Sequence, residues 1–374
     1  MDHMRATGDP LADAVIADFL SDGRIAGLNE LLGNIHATLA DPAKTPASLR
    51  NYLEASARLP AWADPARIKR AQDLFTLHGP LFGVALLFKS LPILYAGGKG
   101  GAQVLAMTGQ LTQHYRRRAA ETLRFILNVM EPGGLDPAGS EPGGLKPQGK
   151  GIATTQRVRL MHAAVRAYTG GTPQWKNQPD WGRPINQEEL AGTMLAFSSV
   201  ALDGVAALGL SIASADQEAY LHTWKVIGHV LGIRDELMPE NMTRARSLWK
   251  QMARRNFRKT EEGLLLIGDH QAFLDELLPG ILMKEGVPTL LRYLMGRKIS
   301  DRILLLPKAS KPFTLLLILT ELLHLQAWGF RLFPWLVKAA RHVSIRLMEG
   351  LQAYLKVGHS KPFRIPTGIP QNGL

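Results

Sequence analysis

Apolar residues recur at intervals of three and four along almost all of this 374-residue chain, while alternating Val/Ile/Thr runs are nearly absent. That spacing matches the turn of an α-helix, about 3.6 residues, and not the two-residue repeat of a strand. It predicts an all-α chain. Helices are expected at about 11–20, 25–39, 65–78, 80–95, 101–130, 154–168, 187–211, 215–233, 241–257, 270–278, 287–296, 312–327 and 333–356. With 46% hydrophobic residues there is enough apolar surface for one large helical domain spanning 1–374.

Pro and Gly mark the interruptions. Glu131-Pro132-Gly133-Gly134-Leu135 recurs ten residues later as Glu141-Pro142-Gly143-Gly144-Leu145, so 131–153 reads as a long surface loop. A second loop, Gly170 to Pro184, holds Trp175 and Trp181 and is expected to pack down as a lid or plug. The tail, 358–374, reads as extended.

Composition removes whole classes of chemistry. With no cysteine, the chain has no disulfide, thiolate haem, iron–sulfur cluster or cysteine-held zinc. A metal would fall to His, carboxylate, Tyr, Met or Lys. The net charge of +12 favours anionic partners. Arg116-Arg117-Arg118 and Arg254-Arg255 lie in helical contexts without interleaved aromatics, so no nucleic acid partner is expected. The N-terminus, Met1 to Pro10, has no apolar stretch before its first acids, and a cytoplasmic chain is expected. No run of eighteen apolar residues is uninterrupted. Pro80–Leu87 with Leu91–Ala96, and Phe313–Thr320, read as core helices. The competing reading is peripheral association with the inner face of a membrane, with Lys338, Arg341 and Arg346 towards headgroups.

Four segments carry side chains suited to chemistry. In Gln156-Arg157-Val158-Arg159-Leu160-Met161-His162-Ala163-Ala164-Val165-Arg166, the trio Arg159, His162 and Arg166 falls at i, i+3 and i+7 on one helical face, beside an apolar face of Val158, Met161 and Val165. An uncharged imidazole can bind iron, and guanidinium groups can pair carboxylates or a bound oxygen species. A salt-bridged surface with an incidental histidine explains the same spacing. In Pro184-Ile185-Asn186-Gln187-Glu188-Glu189, Asn186 and Glu189 form a capping-box pattern, which leaves Glu188 as the polar site candidate. His222, Lys225 and His229 share one side of the following helix; each histidine is either a ligand or a hydrogen-bonded structural residue. Glu321-Leu322-Leu323-His324 has the Glu-x-x-His spacing of di-iron bundles, but it has no second copy.

Taken in order, Leu59-Pro60-Ala61-Trp62-Ala63-Asp64, Arg118-Ala119-Ala120-Glu121-Thr122-Leu123-Arg124-Phe125, Arg159-Leu160-Met161-His162-Ala163, Trp181-Gly182-Arg183-Pro184-Ile185-Asn186-Gln187-Glu188-Glu189-Leu190 and Tyr220 through Ile233 resemble the rubber oxygenase family. That family includes the latex clearing proteins and MpaB-type oxygenases. The resemblance covers roughly residues 55–270 as a catalytic core. It implies a globin-like helical core, with extra helices at both ends, that binds haem b (iron). It also implies use of dioxygen to cleave the double bonds of a hydrophobic, isoprenoid-like substrate. Rubber-cleaving members take a histidine ligand from the helix matching Gln187–Val205, where this chain has none. They carry Lys-Thr where this chain has His162-Ala163.

The expectation is therefore a haem-dependent oxygenase. His162 would be the metal ligand, with Arg166, His229 and His222 as further cofactor-binding candidates. Arg159 and Glu188 would be the catalytic residues. A non-enzymatic helical protein that binds lipid or a membrane surface stands as the alternative.

Overall fold

A computed structural model describes residues 1–23, 27, 30, 45–108, 110–137, 148–278, 281–307 and 335–356, with side chains undescribed at 110–114 and 281–285. The helices expected at 25–39 and 312–327, the Glu321–His324 pair, the middle of the 131–153 loop and the 358–374 tail lie outside the described residues.

The helices are α1 (Asp2–Ala6), α2 (Pro10–Ser21), α3 (Ala47–Ser56), α4 (Pro65–Leu94), α5 (Gly101–Met107), α6 (Gln110–Met130), α7 (Lys150–Gly170), α8 (Pro173–Lys176) and α9 (Gln187–Ala207). They continue as α10 (Ser214–Val230), α11 (Met242–Asn256), α12 (Glu261–Leu277), α13 (Ile281–Met295), α14 (Arg297–Arg302) and α15 (Trp335–Lys356). Among the described residues, β pairing is limited to one bridge, Gly97 to Phe257. The chain is all-α.

The two helices expected at 65–78 and 80–95 are one helix with a kink. Asp64 caps it, accepting from the backbone N–H of Ala66 at 2.8 Å, and Pro65 sits at the first position, where its missing N–H costs nothing. Pro80 breaks the hydrogen-bond ladder, and His78 relaxes to φ −118°, ψ 19°. Further along, Leu86–Ser90 widens into a π turn, as does Ala196–Val200 in α9. The two π turns pack against each other. Helices α4 and α9 are each long and apolar enough to cross a membrane, but 50% and 72% of their apolar windows are buried in protein.

Helix α4 packs on α10, α15 and the end of α9, and these form the main core around Phe82, Tyr220 and Trp224. Helix α7 divides two apolar regions. Leu160, Ala163, Ala164 and Ala167 close a smaller core with α2 and α3 around Phe19 and Tyr52. The opposite face of α7 lies antiparallel along α6, where Asn128 bonds Thr154 at 2.7 Å and Arg118 reaches the Met161 sulfur at 3.8 Å.

Between these faces lies a polar edge that binds the N-terminal segment. The Arg159 guanidinium clasps the Asp9 carboxylate at 2.6 and 2.8 Å and donates to the Val230 carbonyl at 3.0 Å. Arg166 pairs Asp13 at 2.8 Å and donates to the Ile185 carbonyl at 2.6 Å. Gly232 lies against this clasp. Its φ is +81°, and a Cβ there would stand 2.6 Å from the Arg159 guanidinium, so only glycine fits without strain.

The Arg159–Asp9 pair is almost wholly buried. Removing one member strands the other's charge, at a cost of about 3–5 kcal/mol, whereas replacing both with apolar residues is often neutral. Arg159→Ala should thus lower the midpoint of urea unfolding strongly. Arg159→Met with Asp9→Leu should recover much of the loss.

Candidate functional site

An internal cavity of about 750 Å³ opens between α6, α7, α9, α10 and α11. Its size falls within the usual range of roughly 300–1,000 Å³ for small-molecule sites. The wall is mainly apolar: Leu91, Leu94, Val104, Phe125, Val158, Met161, Val165, Met194, Phe197, Trp224 and Met252. A few polar side chains interrupt it, chiefly His162, Glu188, Glu189, Tyr115, Arg118 and Arg157.

His162 enters this wall because of helical phase. At about 100° per residue it stands about 60° from Arg159, on the side of Val158 and Val165. Arg159 and Arg166 stay on the polar edge, held by Asp9 and Asp13. The shared face expected for the trio therefore splits: His162 lines the cavity, and the two arginines do not.

The His162 Nδ1 is buried without a hydrogen-bond partner. Among the described residues no hydrogen bond to the other ring nitrogen is found, and His162 lines the cavity. Burial, with the Arg166 and Arg118 charges beside it, holds its pKa down at about 3. It is a neutral imidazole at any physiological pH.

Glu188 lines the cavity but is already engaged. Asn256 donates to it at 2.7 Å, and Arg255 and Arg5 approach at 3.1 and 3.5 Å. Arg5 also bonds Asn256, the Trp181 carbonyl and the Lys99 carbonyl, so Glu188 sits in a charge-balanced network that pins the N-terminal segment to the cavity wall.

His222 and His229 do not line the cavity. The His222 Nε2 accepts the Asp64 backbone N–H at 2.9 Å, at the start of α4. Burial, with Arg67 and Lys225 nearby, holds its pKa down at about 4. His229 is half-exposed, 3.8 Å from Asp235 and edge-on to Trp62. Among the described side chains, His162 is the histidine in the cavity wall.

The sequence reading assigned Glu189 to capping alone. Asn186 does cap Glu189 N–H at 3.0 Å, but the Glu189 carboxyl also reaches the cavity and its Oε1 is buried without a partner. Burial raises its pKa to about 8, with the Arg5 charge opposing the rise. The apolar residues that follow it are the signal that capping obscured. Around Gly170–Pro184, Trp175 does pack down, its indole N–H bonding the Gly182 carbonyl at 2.8 Å and its ring meeting Trp181 edge-on.

The family model "ER-bound oxygenase mpaB/B'/Rubber oxygenase, catalytic domain" matches residues 69–342. This chain belongs to that family. The match spans the helices that build the cavity. The rubber oxygenase of Streptomyces sp. (strain K30) is 29% identical over 376 residues, covering 97% of this chain and 85% of that protein. The structure of latex clearing protein LCP in the closed state superposes with a TM-score of 0.69 at 25% identity, covering 98% of this chain and 94% of that one. Membership makes the chain an oxygenase-family oxidoreductase with an all-helical fold.

The raised carboxyl gives a pH test. Glu189 keeps its proton in the fold but loses it on unfolding above about pH 4.5, so the folded state loses relative stability as pH rises from there to about 8. Glu189→Gln should flatten that part of the Tm–pH curve and raise Tm at pH 8 more than at pH 5. An unchanged difference would show that Glu189 is ionised in the fold.

Proposed function

We propose that this chain is a haem b-dependent oxygenase that brings dioxygen to a hydrophobic, isoprenoid-like or lipid substrate inside the cavity. The observation that carries this reading is His162: a neutral imidazole whose buried Nδ1 has no hydrogen-bond partner among the described residues, in the wall of a large and mostly apolar chamber. Among the described residues no three His, Asp or Glu side chains converge to hold a bare metal. A macrocycle that brings four donors of its own would need only one side chain from the protein. The donor set therefore fits haem.

His162 would hold the iron, and the apolar wall would take the macrocycle faces. Arg118, Arg124 and Arg157, all lining the cavity, would take its propionates. Haem would supply the iron at which dioxygen is activated. The chain's part is to orient the substrate against Phe125, Phe197 and Trp224 and to exclude water. Arg5, in the cavity wall, ties Glu188, Asn256 and the Trp181 carbonyl together. The proposed roles differ from the sequence expectation: His222 and His229 lie outside the cavity. Arg159 and Arg166 act through the N-terminal clasp instead of touching a bound group, and Glu188 acts through its arginine network.

The name of the Streptomyces relative supports an isoprenoid-like substrate. The absence of cysteine and the +12 charge support a cytoplasmic chain that touches the inner face of a membrane. On α15, Trp335, Val343, Ile345 and Leu347 are exposed beside the basic Lys338, Arg341 and Arg346.

Two measurements test these readings. Purified protein, as isolated or after addition of haem, should show a Soret band. His162→Ala should lose the bound haem with its helical circular dichroism intact. An unchanged spectrum in His162→Ala would remove His162 as the ligand. Sedimentation with anionic vesicles at low salt should carry down protein that neutral vesicles leave behind, and added salt should release it. Equal recovery from both vesicles would contradict membrane contact through charge.

A further inference from the structure

Beside the cavity runs a chain of three buried side chains that the proposed roles do not use. The Tyr95 and Tyr115 hydroxyls are 2.9 Å apart, and the Tyr115 hydroxyl bonds the His270 Nδ1. The His270 Nε2 meets the Leu87 carbonyl at 2.8 Å. All three residues are at most 7% exposed, and both tyrosines contribute to the cavity wall.

The backbone sets every proton in this chain. Leu87 lies in the π turn of α4, where the Leu91 N–H is given to the Leu86 carbonyl and Pro92 has no N–H. The Leu87 carbonyl therefore lacks a helical donor, and His270 supplies one. A carbonyl only accepts, so the His270 proton sits on Nε2 and its Nδ1 is a lone-pair base. Tyr115 must donate to that base, and Tyr95 must donate to the Tyr115 oxygen. Three other tyrosines differ. Tyr52 and Tyr293 donate to main-chain carbonyls, and the Tyr220 hydroxyl has no partner.

We propose that Tyr115 and His270 form a redox-active couple that gives up one electron to an oxidant in the cavity. In this step one electron leaves the Tyr115 ring for a one-electron oxidant. The Tyr115 O–H bond breaks and its proton passes to the His270 Nδ1. The products are a neutral phenoxyl radical, hydrogen-bonded by Tyr95 and by the new imidazolium, and a His270 that still donates to Leu87. Return of one electron sends the proton back.

Burial raises the Tyr115 pKa and lowers that of His270 to about 4, so the resting pair is neutral on both sides. A phenol that has lost an electron is a far stronger acid than any imidazolium, so the proton still moves. The benefit is local. The cavity wall holds Met161, Met194, Met252, Trp224 and Trp249, all open to oxidative damage, and a reversible site beside them would take an oxidising equivalent that finds no substrate. The natural oxidant, a metal centre that has reacted with dioxygen, rests on the proposed function.

The test needs no haem, so its outcome is separate from that of the haem reading. The full-length protein is flash-photolysed with a ruthenium polypyridyl oxidant and a quencher, then frozen for electron paramagnetic resonance. A tyrosyl radical should form in the wild type and disappear in Tyr115→Phe. It should also disappear in His270→Gln, which keeps a donor and an acceptor but no base. Tyr95→Phe should keep the radical with a shifted g-tensor, because one hydrogen bond to the radical oxygen is gone. If Tyr115→Phe fails to fold, the Tyr95→Phe shift identifies Tyr115 by itself. No radical in the wild type, a radical unchanged in His270→Gln, or an unshifted Tyr95→Phe spectrum would each overturn the proposal.

Discussion

The clasp of Arg159 on Asp9 and of Arg166 on Asp13 fixes the rotation of α7, and the rest of the site depends on that rotation. A helix that is apolar on two sides has no single preferred face. Leu160, Ala163, Ala164 and Ala167 could have faced the large core as well as the small one. Two buried ion pairs with the N-terminal segment remove the ambiguity, because turning α7 would strand charges away from water. Once they are made, His162 has one direction left, into the cavity. Gly232 lets the α10 end approach close enough to cover the clasp.

The cavity keeps its titratable groups neutral by the same means. Burial pushes His162 down and Glu189 up, so two groups in its wall that could carry charge present uncharged faces to an apolar space. The charged groups of the wall are Glu188, compensated by its arginine network, and Arg118, Arg124 and Arg157 along α6 and α7. An oxygenase acting on a hydrophobic substrate gains from a mostly apolar interior, which favours the substrate over water.

The fold was largely legible in the sequence, because helical periodicity is local. The kink at Pro80 was visible as a break but not as a bend, since a proline only states that one hydrogen bond is missing. Helix α3 and the short α1 were missed, because ten and five residues give little periodicity. In the site, spacing found the α7 stripe but not its phase. Arg159 and His162 look equivalent at i and i+3 until Asp9, 150 positions away, takes one of them. Glu188 and Glu189 were separated on capping logic, which is correct for the backbone and silent about where the carboxyl points. Tyr115 and His270 are 155 positions apart and carry no local motif. In sequence His222 could be either a ligand or a hydrogen-bonded structural residue, and in space it accepts the N–H that opens α4.

The central claim is that His162 offers its imidazole to a metal in this cavity, and chemical rescue tests it most directly. His162→Gly leaves an imidazole-sized gap in the wall without disturbing the Arg159 and Arg166 clasps. Haem is added to this variant and its absorption spectrum is followed as free imidazole is titrated in. The account predicts a weak or displaced Soret band without imidazole, and saturable return of the wild-type band as imidazole fills the gap. A wild-type band in His162→Gly before any imidazole is added would contradict it.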